Sequence, residues 1–316
     1  MRAASIIAPS DLRIIDTLLP LPGPDQVRIR LEGCGVCASS LPLWQGRPWF
    51  RYPVEPGAPG HEGWGQIDAA GRAVSGIRFD RVAVLSYKAF AEFDVADARS
   101  VVSLPDELHD QLFPGEALGC AMNVLARSEI RSRDTVGIVG IGFLGAALTQ
   151  LCARIGARVI ALSRRQFALE TAARCGASDI IPIDDRDRAI SRIADLTDGR
   201  LCDHVIEAAG LQQTLDLASA IVCERGRFII AGFHQDGPRQ VDLQLWNWRG
   251  LDVINAHERN NDVRIEGMRN AVDAVMDGRI DLAKLGLRAF PIENLGDAFS
   301  ACAGRPDGFL KAVITV

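Results

Sequence analysis

A glycine-rich turn between an apolar strand and an apolar helix constrains the fold of this chain more than any other feature. Residues 140–145 read GIGFLG, with TVGIVG running into the turn and FLGAALTQLCARIG leaving it. In this context the first glycine allows the tight turn, the second lets a pyrophosphate approach the backbone, and the third lets the helix pack on the strand. The helix N-terminus adds free N–H groups and a positive dipole end. The turn therefore predicts a dinucleotide site that includes Gly140, Gly142, Phe143, Leu144 and Gly145.

The region after residue 135 alternates apolar strands with helices. Short apolar runs such as RVIAL, DIIPI, RFIIAGF and LDVINA are mostly separated by helical segments. This alternation indicates a doubly wound parallel sheet. The first 120 residues instead contain β-branched runs bounded by Gly and Pro, which predicts a β-rich region. We therefore expect an α/β protein in which a Rossmann sheet is joined to a β-rich domain.

Length and charge limit the class of protein. The chain has 316 residues, of which 48% are hydrophobic and 24% charged, with a net charge of -5. These values are typical of a globular protein with two domains. No run of Lys or Arg exceeds two residues, so nucleic acid and anionic membranes are not expected partners. The absence of a signal peptide or membrane span favours a cytoplasmic location.

The end of the second Rossmann strand discriminates between NAD and NADP. An NAD site usually carries Asp or Glu at this point, to hold the ribose hydroxyls. This chain has Ser163, Arg164 and Arg165 instead. A carboxylate would repel a 2′-phosphate, whereas a hydroxyl and guanidinium groups bind it. The sequence therefore predicts NADP(H). In the alternative interpretation Ser163 only caps the next helix and the arginines are solvated.

Potential metal ligands lie in the β-rich region. Cys34 and Cys37 have Cys-x-x-Cys spacing in GCGVCASSLP, and His61 and Glu62 follow in the glycine-rich segment PGHEGWG. Thiolate, imidazole and carboxylate are good zinc ligands, and a catalytic zinc needs three protein ligands and one open position. From spacing alone, the two cysteines fit half of a structural zinc site, a redox pair, a disulfide, or one catalytic ligand beside a bystander.

Taken in order, the motifs resemble those of the medium-chain, zinc-dependent alcohol dehydrogenase family, and in part its polyol-dehydrogenase-like members. The motifs are C-x-S (37–39), G-H-E (60–62), D-R-V (80–82), F-A-E (90–92), G-I-G-F-L-G (140–145) and V-I-E-A-A-G (205–210). The resemblance implies a GroES-like catalytic domain, residues 1–122 and 265–316, and a Rossmann domain, residues 123–264, with the active site between them. It also implies a homodimer or homotetramer formed through the strand LDVINA.

The resemblance also implies roles for individual residues. Cys37 and His61 are the first two zinc ligands, and the third is Glu116, or Cys120, which otherwise faces the nicotinamide. Ser39 hydrogen-bonds the substrate oxygen and passes its proton on, and Glu62 approaches the metal during turnover. The nicotinamide is lined by residues at two strand ends, Ala208 and Ala209 at one and Gly232 and Phe233 at the other. The basic residue near the cofactor phosphates is Lys311, which in the alternative interpretation is only a solvated lysine.

The chain departs from the family pattern in two places. Only AVLSYKA separates D-R-V from F-A-E, with no cysteine between Cys37 and Cys120, so the lobe that carries a structural zinc in many members is missing. We therefore expect one catalytic zinc and no structural zinc. Ser40 replaces the Asp that often follows C-x-[ST], and no relay histidine comes after it.

Together these features predict a zinc-dependent, NADP(H)-dependent alcohol dehydrogenase or carbonyl reductase. A polyol, a sugar-like or secondary alcohol, or the corresponding ketone would be its small-molecule substrate. One alternative is a zinc-free quinone or enone reductase of the same superfamily. The other is a non-catalytic relative that binds NADPH.

Overall fold

The computed structural model describes all 316 residues, which form fifteen strands and nine α-helices. The strands are β1 Arg2–Ala8, β2 Asp11–Asp16, β3 Gln26–Gly35, β4 Glu62–Ala70, β5 Arg81–Val84, β6 Phe93–Asp97, β7 Val101–Ser103, β8 Thr135–Val139, β9 Arg158–Ser163, β10 Asp179–Pro182, β11 Cys202–Glu207, β12 Val222–Ile230, β13 Asp252–Asn255, β14 Leu287–Pro291 and β15 Lys311–Thr315. The helices are α1 Leu41–Trp44, α2 Gly115–Ser128, α3 Phe143–Ile155, α4 Gln166–Arg174, α5 Arg186–Leu196, α6 Gln212–Ala220, α7 Leu243–Arg249, α8 Asn261–Met276 and α9 Leu295–Gly304. No helix combines the length and the apolar character needed to cross a bilayer.

Six parallel strands form the predicted Rossmann sheet, in the order β10-β9-β8-β11-β12-β13. This order is that of two βαβαβ halves meeting at the centre of a doubly wound sheet. The centre of the sheet is fully buried because apolar residues occupy both of its faces. Its completely buried side chains include Val136, Ile138, Ile160, Leu162, Val205, Ile206, Phe228 and Ile229. The sequence-based prediction of this fold is confirmed, and the LDVINA segment forms the edge strand β13.

The β-rich part contains a seven-stranded sheet and a separate hairpin of β1 and β2. The path through the larger sheet is β14-β15-β3-β4-β5-β7, and β6 pairs with β3. All pairs are antiparallel except β14 with β15. The arginine of the D-R-V motif, Arg81, anchors this sheet: it donates to Glu32 and to the carbonyls of Leu108 and Gln111.

The chain divides into two compact units. One comprises Met1–Gly119, Asn260–Asp273 and Leu287–Val316, and the other comprises Cys120–Arg259 and Ala274–Gly286. After the roles that the sequence leads us to expect, we call them the catalytic unit and the cofactor unit. The predicted boundaries differ mainly at residues 274–286, which lie with the cofactor unit. Gln150 explains this placement, because its amide exchanges hydrogen bonds of 2.7 and 3.2 Å with the backbone of Asp281.

Candidate functional site

Strand pairing in the catalytic unit brings three potential metal ligands together. Cys37 follows the end of β3, and His61 and Glu62 stand at the start of β4. These strands are antiparallel, with Gly35 opposite Glu62. As a result, the ligand atoms of Cys37, His61 and Glu62 lie within 4.8 Å of one another. A thiolate, an imidazole and a carboxylate at this spacing form a donor set that suits zinc.

A short turn after Cys37 controls the surroundings of its sulfur. The Ser39 hydroxyl donates a 3.1 Å hydrogen bond to Cys37 Sγ. The backbone N–H of Ser40 donates to the Cys37 carbonyl at 3.1 Å, which closes a 3₁₀ turn, and Ser40 itself is buried. The predicted proton-carrying hydroxyl therefore lies in contact with the predicted ligand sulfur.

The imidazole of His61 is oriented by a backbone carbonyl. Its Nδ1 lies 2.8 Å from the Pro59 oxygen, and because a carbonyl only accepts, Nδ1 carries a proton. This contact leaves Nε2 as the ligand atom, the usual arrangement of a metal-binding histidine. Burial lowers the pKa of His61, but the hydrogen bond and charge of Cys37, with the charges of Glu116 and Glu62, raise it to about 10. A metal ion would displace the second imidazole proton.

Glu62 is completely buried and is held by a lysine. Lys311 Nζ, at the start of β15, lies 2.6 Å from Glu62 Oε1 and 2.5 Å from Oε2. Burial opposes the ammonium charge, but the charges of Glu62 and Cys37 outweigh it, so the pKa of Lys311 lies above its ordinary value. The solvated-lysine alternative does not describe this side chain, which is 6% exposed. Contact with the cofactor phosphates stays a prediction.

The predicted third ligand, Glu116, lies outside the group of three. It stands in the first turn of α2 and is buried, with Oε1 accepting a 2.9 Å hydrogen bond from Arg264 Nη2. Its charge nevertheless raises the pKa of His61, so it belongs to the same electrostatic environment. Cys120, the alternative ligand, lies on the next turn of α2 and is half-buried.

In the cofactor unit, the glycine turn has the geometry that its sequence predicts. Gly140 has φ +101°, a conformation that favours glycine, and a Cβ there would lie 2.7 Å from Ala209 Cβ. A Cβ on Gly145 would lie 2.2 Å from the Gly140 carbonyl oxygen, so α3 packs directly on the turn. A Cβ on Gly142 would meet nothing within 4 Å. Gly142 therefore borders open space at the N-terminus of α3, where a pyrophosphate could approach.

The three residues that predict NADP lie at the end of β9 and before α4. Ser163 is buried and Arg164 is exposed. The N-cap of α4 is Arg165, so the interpretation of Ser163 as the N-cap is wrong. Ser163 Oγ instead accepts a 3.2 Å hydrogen bond from the backbone N–H of Arg165. Its own O–H proton remains available to a ligand oxygen.

The two turns predicted to line the nicotinamide follow neighbouring strands, β11 and β12. Ala208 donates its backbone N–H to the Val139 carbonyl at 2.9 Å, and Ala209 donates to the Glu207 carboxylate at 2.9 Å. In the second turn, the Gly232 N–H donates to the Glu207 carbonyl at 2.8 Å, and Phe233 follows. The buried residue Glu207 thus contacts both turns.

Sequence reasoning missed several residues around these sites. The Tyr87 ring stacks on His61 with centroids 6.5 Å apart, and its place in the shortened segment AVLSYKA was the only signal. Arg264 gave no signal, because its partner Glu116 lies 148 residues away in sequence. Glu207 stood inside a quoted motif, but nothing in the sequence indicates that it pairs with His234.

Comparison with known proteins adds independent information. Two family models match, "Alcohol dehydrogenase GroES-like domain" over residues 23–106 and "Zinc-binding dehydrogenase" over residues 144–275. An alcohol dehydrogenase of Cupriavidus necator is 25% identical, over 99% of this chain and 98% of the relative. The D-arabitol-phosphate dehydrogenase of Enterococcus avium is 24% identical, over 95% and 93%. A solved alcohol dehydrogenase (rspB) of Escherichia coli, complexed with NADH, has a TM-score of 0.87 and 23% identity, covering 100% of this chain and 99% of that chain.

Proposed function

Because the chain belongs to the zinc-dependent, alcohol dehydrogenase-like family of medium-chain dehydrogenases, we propose that it transfers a hydride between NADP(H) and an alcohol or the corresponding ketone. The observation that carries this proposal is the group formed by Cys37, His61 and Glu62, whose ligand atoms lie within 4.8 Å of one another. A buried salt bridge to Lys311 holds Glu62 in place, and a hydrogen bond to the Pro59 carbonyl holds the imidazole of His61.

Cys37 and His61 would hold the zinc ion, together with a carboxylate. When bound, zinc acts as a Lewis acid towards the oxygen of the substrate. His61 presents Nε2 because Nδ1 is bonded to the Pro59 carbonyl. Cys37 presents a sulfur that already accepts a hydrogen bond from the Ser39 hydroxyl, which fixes its orientation.

Two carboxylates compete for the third ligand position, and distance favours Glu62. Its oxygens are close to Cys37 and His61, whereas Glu116 bonds to Arg264 and lies outside the group. Zinc analysis of Glu62→Gln and Glu116→Gln would decide. We expect Glu62→Gln to lose the metal more readily, and the reverse result would restore the assignment of Glu116. Loss only in Cys120→Ala would assign the cysteine.

Ser39 would handle the proton of the reaction. Its hydroxyl lies 3.1 Å from Cys37 Sγ, so a substrate oxygen near the metal would come within its reach. If it turns away from Cys37 Sγ, the hydroxyl can donate to a ketone oxygen, and in either orientation it can accept a hydrogen bond from an alcohol. With no histidine following Ser39 and Ser40 in the sequence, the proton would continue to water or to the cofactor ribose.

The cofactor would be NADP(H), with its 2′-phosphate next to Ser163, Arg164 and Arg165. These residues provide a hydroxyl and two guanidinium groups where a carboxylate would repel phosphate. The fold itself is compatible with NAD as well, since the similar Escherichia coli protein holds NADH. The preference therefore depends on these three side chains.

The substrate would be an alcohol or a polyol. The similar proteins of Cupriavidus necator and Enterococcus avium are an alcohol dehydrogenase and a D-arabitol-phosphate dehydrogenase, so substrates in this family carry hydroxyl groups. A secondary alcohol of this type, or its ketone, suits the proposed chemistry.

The oligomer would form through the edge strand β13. An edge strand presents unpaired N–H and C=O groups that can extend the sheet into a second subunit. Exposed apolar side chains occur at or near this edge, with Val253 37%, Leu243 67% and Trp248 86% exposed. Burying them between two copies of the chain would stabilise a dimer.

Metal content and activity, measured on the same samples, test the proposal. The samples are wild type, Cys37→Ala and the matched control Cys34→Ala, with NADPH and NADH offered against alcohols and ketones. We expect zinc and activity in wild type and Cys34→Ala, and loss of both in Cys37→Ala. An active, zinc-free wild type would favour a quinone or enone reductase. NADPH binding without any turnover would favour a non-catalytic relative.

A further inference from the structure

A buried carboxylate in the cofactor unit joins the ends of two neighbouring strands. Glu207, the last residue of β11, is completely buried. Its Oε1 accepts hydrogen bonds from Ala209 N, Gly210 N and Thr214 Oγ1, at 2.9, 2.8 and 2.7 Å. Its backbone carbonyl accepts from Ala231 N and Gly232 N at 2.9 and 2.8 Å. A single residue therefore organises the turns that follow β11 and β12.

A histidine completes the shell of this carboxylate. His234 Nε2 lies 2.8 Å from Glu207 Oε2, and the imidazole is largely buried. On its other side, Arg239 Nε donates to His234 Nδ1 at 3.0 Å. A guanidinium cannot accept, so Nδ1 must be the unprotonated nitrogen and Nε2 must carry the proton. The contacts thus define a neutral imidazole that donates to Glu207.

Arg239 then closes the chain of contacts back onto the first turn. Its Nη2 donates to the carbonyl of Gly210 at 3.1 Å and pairs with Asp236 at 2.5 Å. The backbones of the two turns are close enough that a Cβ on Gly232 would lie 2.4 Å from the backbone N of Gly210. Carboxylate, imidazole and guanidinium therefore connect the two turns by side chains as well as by backbone.

We infer that Glu207, His234 and Arg239 are positioning residues that fix the shape of the surface that receives the nicotinamide ring. The inference rests on the proposed function, because the turns containing Ala208–Ala209 and Gly232–Phe233 receive a nicotinamide only if the chain binds the cofactor as the family resemblance implies. The three residues would act through these turns and would not touch the reacting atoms. Removing one of them should weaken binding of the nicotinamide half of the cofactor and leave binding of the adenine half intact.

Binding of a whole and a truncated cofactor tests this inference without relying on turnover. The probes are NADPH and 2′-phospho-ADP-ribose, which lacks the nicotinamide. For His234→Ala we expect about tenfold weaker binding of NADPH, because one hydrogen bond to a charged group is lost. The affinity for the fragment should be unchanged. His234→Gln, which keeps a donor and an acceptor, should recover part of the affinity. The matched control is His204→Ala, since His204 pairs with Asp134 at the opposite end of β11.

The tautomer of His234 gives a second readout. In ¹⁵N-labelled wild-type protein, Nε2 of His234 should be the protonated nitrogen and Nδ1 the acceptor, and Arg239→Met should remove the hydrogen bond to Nδ1 and shift its ¹⁵N resonance. Arg249→Met is the control, because Arg249 bonds to the Ala220 and Val222 carbonyls at the opposite end of β12. An Nδ1 resonance that is unchanged in Arg239→Met, or a wild type in which Nδ1 carries the proton, would overturn the proposed chain of contacts.

The outcomes separate this inference from the function on which it rests. Equal weakening of NADPH and fragment binding in His234→Ala, or no weakening of either, would overturn the inference. Wild-type protein that binds NADPH but converts no alcohol or ketone would remove the proposed function, and a selective effect of His234→Ala would still support the positioning role. Wild-type protein that binds no nicotinamide dinucleotide would overturn both.

Discussion

Lys311 Nζ lies 2.5 and 2.6 Å from the two carboxylate oxygens of Glu62, and both side chains are buried. The residues are 249 positions apart in the sequence, and β15 and β4 bring them to the two sides of β3. The pair fixes the carboxylate beside Cys37 and His61. Its ammonium group also offsets the negative charge of a thiolate and a carboxylate in one small volume.

Breaking this pair should destabilise the catalytic unit. In zinc-free protein Lys311→Met leaves Glu62 as a buried carboxylate without a counter-ion, so we expect a loss of about 3–5 kcal/mol in the free energy of unfolding, measured by urea denaturation. The control is Lys88→Met, whose partner Glu55 is exposed, and there we expect a loss below about 1 kcal/mol. Similar losses in the two variants would contradict the importance assigned to Lys311.

A carboxylate introduced at the end of β9 should change the preference between NADPH and NADH. Ser163→Asp places a carboxylate where the 2′-phosphate is proposed to bind, so kcat/KM for NADPH should fall about ten- to hundredfold relative to NADH. Arg164→Asp should act in the same direction. The exposed Arg154→Asp, in the last turn of α3, is the control and should leave the ratio unchanged. A wild type that prefers NADH would refute the assignment of NADP.

Thiol alkylation should distinguish the buried cysteines from the half-buried ones. Burial raises the pKa of Cys152 and Cys202 to about 12, so at pH 8 only about one thiol in ten thousand is ionised and reactive. Reactivity falls with a raised pKa because the thiolate is the nucleophile, and it returns only as the pH approaches that pKa. With iodoacetamide at pH 8, mass spectrometry should find label first on the half-buried cysteines, Cys37, Cys120 and Cys223.

Zinc should protect only one of these three thiols. In protein treated with a chelator, adding zinc should slow the labelling of Cys37 and leave that of Cys223 unchanged, because Cys37 belongs to the group of potential ligands and Cys223 does not. Labelling of Cys37 at the same rate with and without zinc would contradict its role as a ligand. Rapid labelling of Cys152 in folded protein would contradict its burial.

A charge on the edge strand should prevent dimer formation. Val253→Lys introduces an ammonium group into β13, and edge lysines oppose strand pairing between subunits. We expect light scattering to give half the molar mass of the wild type, with unchanged circular dichroism. Leu18→Lys changes a residue that is 89% exposed in the catalytic unit and should have no effect. A monomeric wild type would exclude the proposed interface.

The cofactor unit was largely predictable because its determinants are local. A strand, a glycine turn and a helix follow one another within residues 135–155. The close contact that requires a glycine at position 145 lies within this segment, and the one at position 140 involves the end of the neighbouring strand β11. Apolar runs then predict the remaining parallel strands, since both faces of the sheet are covered. The family pattern adds the proposed roles of Cys37 and His61 as zinc ligands, which depend on residue type and order.

Pairings between distant residues could not be predicted. The sequence contains Glu62, Lys311, Glu116 and Arg264, but only the fold determines which acid meets which base. The same reason explains the difference at residues 274–286. The segment after α8 belongs to the cofactor unit because Asp281 bonds to Gln150, which lies 131 positions away in the sequence. The local pattern of apolar residues gives no information about such a contact.

The position of β15 also affects how the protein is made. Its residues Val313, Ile314 and Thr315 pair with Gly35, Cys34 and Gly33 of β3. On a ribosome, the six strands of the cofactor sheet emerge one after another and can assemble. The edge of β3 that β6 covers at residues 26–30 can also form early, but its last part, residues 33–35, stays open until residue 315 has been synthesised. The unit that begins the chain is therefore the last to close. During that interval residues 33–35 of β3 present unpaired backbone groups with which another chain can pair.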